Sequence, residues 1–452
     1  MSDLVEQLRA AVGERVLSEP DSTAGYRHDQ CMLAPAGEPA AVVRAAGVED
    51  VQATLRVAHR AGVPVVTRGA GSGLAGGANA LDGGIVLSLA GMDRILDLDV
   101  AGRTARVQAG VINADLDAAA RRHGLWYAPD PGSRAISTLG GNLATNAGGM
   151  CCTKYGVTAD HVASLTAVLA DGRVIETGST TRKNVAGLDL TRLLVGSEGT
   201  LAVIVEAELR LRPVPAGVAT VVAEFPTVEA AIDAVVACGG VTQPAVVELM
   251  DATTVRAVNE MTHMGLDEES GALLLIQCDG STAASETETC ERIALAAGAT
   301  EVYRSDDEDD AAALMEARRV ALTALERLGT VLLDDVAVPV ARLAQLLGRI
   351  QSTAAEHRVL IGTFGHAADG NLHPTIVFDP TDPGARERAG AAFDDIVAAA
   401  LDLGGTLSGE HGVGVLKTAH LERMVGRTER ELMTGIKQVF DPTGILNPGR
   451  AY

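Results

Sequence analysis

Residues 67–78 read Thr-Arg-Gly-Ala-Gly-Ser-Gly-Leu-Ala-Gly-Gly-Ala, and Gly71, Gly73 and Gly76 satisfy GxGxxG directly after the strand-like run Val63-Pro64-Val65-Val66-Thr67. A Rossmann loop of this pattern must open a helix whose N-terminus takes the pyrophosphate. Here the turn-forming Asn79-Ala80-Leu81-Asp82-Gly83-Gly84 and a second strand-like run, Ile85-Val86-Leu87-Ser88-Leu89, follow instead. The loop therefore excludes a Rossmann unit and requires another arrangement. Backbone N–H groups of a glycine-rich nest can cradle a diphosphate without a helix, because absent side chains allow close approach.

Two further segments share this character. Pro129-Asp130-Pro131-Gly132 and Ser137-Thr138-Leu139-Gly140-Gly141-Asn142-Leu143-Ala144-Thr145-Asn146-Ala147-Gly148-Gly149 are too glycine-rich and polar to read as a packed helix or strand. Small residues interleaved with Thr and Asn offer hydrogen bonds to a large planar polar group while letting backbone lie against it. Gly196-Ser197-Glu198-Gly199-Thr200-Leu201 leads into a strand pattern over 200–211.

A different chemistry is concentrated in Gly365-His366-Ala367-Ala368-Asp369-Gly370-Asn371-Leu372-His373 and in Gly409-Glu410-His411-Gly412, which together hold three of the ten histidines. Residues 359–364 and 372–378 are strand-like and flank the turn sequence Asp369-Gly370-Asn371, so a hairpin brings His366 and His373 together. Two imidazoles with one carboxylate, for which Glu410 is the natural candidate, suit Zn²⁺ and leave room for substrate, and Mn²⁺, Fe²⁺ and Co²⁺ accept similar ligands. Adjacent side chains in extended chain point in different directions, so Glu410 and His411 divide roles.

Length and charge bound the partners. A chain of 452 residues is expected to form two or more domains. Its net charge of −22 repels nucleic acid and anionic lipid, so an anionic substrate needs a local cation. Six cysteines, Cys31, Cys151, Cys152, Cys238, Cys278 and Cys290, form no CxxC pair and read as thiols in a reducing cytoplasm. The N-terminus is acidic where a signal peptide would be basic, and no apolar run approaches about 20 residues. The expectation is a soluble protein without a transmembrane segment, with peripheral membrane docking left open.

Along the chain, 48–61 reads as an amphipathic helix, and 165–170, Asp171-Gly172 and 173–176 read as a hairpin, so pairing is partly antiparallel. Arg212-Pro213-Val214-Pro215-Ala216-Gly217 is the best domain boundary. Beyond it, strand-like runs at 220–224, 273–278 and 331–335 alternate with helical stretches at 228–238, 285–297, 311–328 and 340–357, which indicates a second α+β layer domain.

The three glycine segments, in this order, resemble the FAD-binding domain of the vanillyl-alcohol oxidase or PCMH-type flavoproteins. The nearest resemblance is to the branch containing the glycolate oxidase catalytic subunit, D-lactate dehydrogenases and D-2-hydroxyglutarate dehydrogenases. Residues 365–373, 408–414 and Asn447-Pro448-Gly449 match that branch's C-terminal motifs. The resemblance implies an α+β fold: a PCMH-type FAD-binding domain of two α+β subdomains over 1–214, and an α+β cap domain with antiparallel sheet over 215–420 carrying the metal site. A helical segment over 421–452 would return to the FAD domain.

It further implies that Arg68, Gly69, Ala70, Gly71, Ser72, Gly73, Leu74 and Ala78 wrap the FAD pyrophosphate. Pro131, Thr138, Gly141, Asn142, Thr145, Asn146, Gly148 and Gly149 would line the flavin and ribityl chain, Gly199 and Ile204 the adenine or ribityl side, with Glu198 and Asn447 in the same cofactor set. The first loop lacks the histidine of members with covalent flavin, so dissociable FAD is expected. His366, His373 and Glu410 would hold the metal, His411 would act as base, and Arg318 matches the position that clamps the substrate carboxylate.

The implied reaction is metal-assisted oxidation of a D-2-hydroxy acid, glycolate or D-lactate-like, to the 2-keto acid. Electrons would pass from the flavin to a quinone, cytochrome or electron-transfer flavoprotein. Residues 330–336 lack the lysine and aromatics that accompany a dicarboxylic substrate, which counts against D-2-hydroxyglutarate. A non-redox transferase like alkylglycerone phosphate synthase is the alternative, and the HAADGNLH and GEHG motifs count against it. Homodimerisation is compatible with the sequence.

Overall fold

A computed structural model describes residues 2–452. They divide into two compact units, the first comprising the chain to Gly148, Gly156–Val214 and Glu410–Tyr452, and the second Gly149–Tyr155 and Pro215–Gly409.

The first unit holds two sheets. Ala41–Arg44, Ile85–Ser88 and Val65–Arg68 pair in parallel, with Val16–Leu17 added antiparallel at one edge. The amphipathic helix Val48–Ala61 supplies the crossover that parallel strands need, stopped by Gly62 in the left-handed conformation at φ +63°. Its Val51, Leu55 and Ala58 are fully buried against Val65, Ile85 and Leu87. The other sheet is antiparallel, in the order Ile95–Asp99, Thr104–Gln108, Val203–Arg210, Val162–Val168, Val174–Gly178. The hairpin expected around Asp171-Gly172 is its outer pair.

Residues 137–149 depart from expectation, because Leu139–Thr145 is a helix. Thr138 caps it by accepting the Gly141 N–H, and Asn146 ends it in the left-handed region at φ +51°. Leu139 and Leu143, four apart, are buried on one face, so two leucines and two caps outweigh the poor propensity of the glycines.

The second unit is built on one antiparallel sheet, in the order Glu301–Ser305, Val218–Phe225, Ala272–Asp279, Val246–Asp251, Leu360–His366, Asn371–Phe378, Thr330–Leu333, with Val336–Ala337 also on Asn371–Phe378. The expected helix over 311–328 is two, Glu308–Arg319 and Ala321–Glu326. The break at Val320 lets Ala317, Ala321, Ala324 and Leu325 share one buried cluster. All six cysteines are thiols. Among the described residues, no helix is long and apolar enough to cross a membrane.

The chain's end is tied into the first unit. Val65 donates to Ile445 O at 2.7 Å, Asn447 donates back to Val65 O at 2.8 Å, and the Lys437 ammonium binds Thr200 O, Leu446 O and the Asp441 carboxylate at 2.5–2.7 Å. Lys437→Met removes the only cation paired with the fully buried Asp441 carboxylate among the described residues, leaving it the Ile445 and Leu446 N–H groups and the Thr443 hydroxyl. It is expected to lower stability by about 3 kcal/mol, measured by urea unfolding.

Candidate functional site

In the first unit the three glycine segments converge. Arg68 turns back beneath the loop it begins, donating to Ala78 O at 3.4 Å, and only a glycine at 71 fits above it: a Cβ there would lie 2.1 Å from the guanidinium, at φ +75°. Asp29 braces the same loop by accepting the N–H groups of Cys31 at 2.9 Å and Ala78 at 3.4 Å. Burial pushes the Asp29 carboxyl up, against these bonds and the nearby Arg68 charge. Gly69 is needed for contact with the helix, since a Cβ there would meet Thr138 Oγ1 at 2.1 Å.

The helix in turn receives the third segment, as Gly196 donates to Leu143 O and Glu198 to Ala144 O at 2.9 and 2.8 Å. Asn447 closes the ring: its amide donates to Gly77 O at 3.0 Å and to Glu198 O at 2.7 Å. Asn447 Oδ1 and Thr67 Oγ1 are buried here without a hydrogen-bond partner among the described residues.

Several residues expected to touch a cofactor spend their side chains inside the unit. Asn142 bonds Ser137 and Asn113, Asn146 accepts the Ala159 N–H, Thr145 donates to Gly141 O, and Pro131 and Ile204 are packed in. What this helix presents is therefore small-residue surface, with Gly140, Gly141 and Ala144 half-buried, and Gly148, beyond it in the chain, is buried. Ala70, Ser72, Gly73 and Leu74 lie along the first loop and Gly199 in the third. Gly149 belongs to the second unit.

Glu198 stands out among them. It adopts φ +50°, and its carboxylate accepts the N–H groups of Val413 and Gly414 at 2.7 and 2.8 Å. Burial pushes this carboxyl up while the two N–H groups oppose the shift. The carboxylate thus fixes the chain two residues beyond His411, whose Nε2 lies 3.7 Å from Glu410 Oε1. Val415 is anchored on Ala75 O at 2.9 Å, which completes the attachment to the glycine loop.

In the second unit, strand register builds the histidine site. His366 sits opposite Glu248, and Phe364, two residues earlier, opposite His373. Opposed residues of antiparallel strands, and residues two apart, share a sheet face, so all four side chains meet there. Both imidazoles are buried, with His366 Nε2 and His373 Nε2 3.3 Å apart. Two nitrogens at about 2.0–2.1 Å from a tetrahedral zinc are separated by roughly 3.3 Å, so the pair is spaced like one edge of such a set.

Glu248 Oε1 lies 2.6 Å from His366 Nδ1, and Oε2 accepts from Arg318 Nε. Burial pushes the Glu248 carboxyl up, but Arg318 and His366 outweigh it and hold it below its ordinary value. An ionised Glu248 requires the proton on His366 Nδ1, which makes the Nε2 that faces His373 the acceptor nitrogen of that ring. Asp335 lies 3.7 Å from His373 Nδ1 and accepts from Asn371 and from the Ser408 hydroxyl at 2.7 and 2.8 Å. The hairpin histidines expected from sequence are thus brought together. Glu248 and Asp335 were missed, although an acid inside the apolar run Ala245-Val246-Val247-Glu248-Leu249-Met250 was a usable signal.

Comparison with known proteins matches two families along the chain. Residues 39–178 match the family described as FAD binding domain and residues 214–451 that of FAD linked oxidases, C-terminal domain. The chain is 41% identical to the glycolate oxidase subunit GlcD of Bacillus subtilis over 92% of its own length and 89% of that protein. It is 34% identical to the D-lactate dehydrogenase of Anaerostipes hadrus over 99% of its length and 97% of that protein. Among solved structures, p-cresol methylhydroxylase superposes with a TM-score of 0.83 at 19% identity, covering all of this chain and 96% of that one, which shows the PCMH-type fold.

The convergent glycines and the unsatisfied Asn447 and Thr67 oxygens fit a nucleotide whose groups can approach backbone closely and donate to those acceptors. Gly69→Ala drives a methyl into Thr138, and the purified variant is expected to retain less than about a tenth of wild-type FAD, an apparent weakening of roughly 1.4 kcal/mol or more, read by flavin absorbance.

Proposed function

The chain belongs to the FAD-linked oxidases, and from that premise we propose that it oxidises a small 2-hydroxy acid, D-lactate or glycolate in type, to the 2-keto acid. The relatives' names support the substrate class. The paired His366 and His373 Nε2 atoms, set by an ionised Glu248, carry the proposal of metal assistance.

His366 and His373 would supply two nitrogens and Glu410 a carboxylate. Ser408, two residues before Glu410 in the chain, donates its hydroxyl to Asp335 beside His373. A divalent cation held there, zinc or alternatively manganese, iron or cobalt, would supply Lewis acidity to a bound 2-hydroxy acid. FAD supplies the hydride acceptor.

The remaining steps belong to side chains. His411 takes the hydroxyl proton on an imidazole nitrogen, and the anchoring of Val413 and Gly414 by Glu198 holds the loop that presents it. Arg318 has its Nε occupied by Glu248, so its terminal N–H groups form the edge offered to the substrate carboxylate. Both histidines of the ligand pair are buried. Electrons leave to an external quinone, cytochrome or electron-transfer flavoprotein. The strand Thr330–Leu333 offers neither lysine nor aromatic side chains, which favours a short hydroxy acid over D-2-hydroxyglutarate.

Anaerobic mixing of FAD-loaded, metal-replete protein with D- and L-2-hydroxy acids is expected to bleach the flavin with D-lactate or glycolate, and no bleaching by any of them rejects the reading. His411→Ala is expected to slow reduction at least about 100-fold with FAD and metal retained. Metal loss in that variant would show that His411 is a ligand. Denaturing precipitation is expected to leave the FAD in the supernatant, whereas yellow colour in the pellet would reveal a covalent link.

A further inference from the structure

Glu248 touches two groups that the proposed chemistry uses separately. One carboxylate oxygen faces the Nδ1 of His366 and the other accepts from Arg318 Nε. Glu248 is 1% exposed, so water cannot stand in for either partner. Arg318 is held on its other side as well, its guanidinium carbon 4.5 Å from the centre of the Phe364 ring. Phe364 lies opposite His373 in the sheet, and His373 meets His366, which closes a ring of five side chains.

We infer that Glu248 is the positioning residue that couples metal binding to substrate-carboxylate binding, by setting the tautomer of His366 and the plane of Arg318 with one side chain. The inference rests on the proposed roles of His366 and Arg318. A histidine that donates its far N–H to a carboxylate is oriented and made a stronger ligand. An arginine bound through Nε, with its face on an aromatic ring, can pivot in neither direction, so its two terminal nitrogens keep a fixed aspect toward an incoming carboxylate. Both effects need acceptor oxygens at both ends of the group. A glutamine offers one oxygen and one NH₂, so it must turn a donor toward either His366 Nδ1–H or Arg318 Nε–H.

The test uses the FAD-loaded full chain stripped of metal, titrated with zinc alone and then assayed with the hydroxy acid that bleaches its flavin. Glu248→Gln is expected to keep FAD and the far-ultraviolet circular dichroism of the wild type, to weaken zinc binding 10- to 100-fold and to raise KM about 10-fold or more. Arg318→Met is expected to raise KM similarly with zinc affinity unchanged. The double variant should be no worse in KM than Arg318→Met alone, since both remove one shared interaction.

Wild-type zinc affinity in Glu248→Gln, alongside zinc loss in His366→Ala, overturns the coupling and leaves the metal site standing. Unchanged zinc affinity in His366→Ala removes the metal reading and this inference with it. Should the glutamine variant fail to fold, Glu248→Asp carries the test. It keeps the charge but falls short of one donor by one C–C bond, and wild-type zinc affinity together with wild-type KM in that variant overturns the inference.

Discussion

The site in the second unit depends on the cross-strand register that sets Glu248 opposite His366 and Phe364 opposite His373. A slip of one residue in either pairing would send His366 and Glu248 to opposite faces of the sheet and separate the histidine nitrogens. That register is held along whole strands, seven pairs between Leu360–His366 and Asn371–Phe378 among them, so the site inherits the rigidity of the sheet. A short polar cluster could not fix it unaided.

The first unit solves a different problem, which is to bring irregular chain close to a ligand without leaving it soft. It does so from beneath. Arg68 and Asp29 bond the backbone of the first glycine loop from its buried side, Thr138 meets Gly69, and Asn447 ties the first loop to the third. The glycines allow close approach, and the stiffness comes from polar side chains bonded to the backbone of the loops. Glu198 extends the same logic to residues 413 and 414, binding two N–H groups with one carboxylate in the manner of an anion in a backbone nest.

What could be read from sequence followed the range of the interactions. The hairpin histidines were legible because they stand seven residues apart across one tight turn, and the glycine loop was legible because its failure to open a helix is a local fact. Glu248 lies 118 residues from His366, and Glu198 lies 215 from Val413, so no periodicity or turn signal links them. The helix Leu139–Thr145 was missed for another reason: composition spoke against it, and only tertiary burial of Leu139 and Leu143, together with two end caps, settles it. Arg318 was placed by family resemblance alone, while its engagement with Glu248 belongs to the fold.

Stability alone does not account for the Glu248, Arg318 and His366 cluster. Burying a carboxylate, a guanidinium and an imidazole carries a desolvation penalty of several kcal/mol per ion, and apolar side chains of similar volume are commonly as stable or more so. The surrounding sheet could accept them, since Leu249, Met250 and Val255 nearby are ordinary core residues. The cluster is instead suited to holding direction: each charged group has its partner, and each partner is fixed by strand register or ring stacking. The carboxylate absent from the sequence reading is thus the one that gives the histidine and the arginine their orientation.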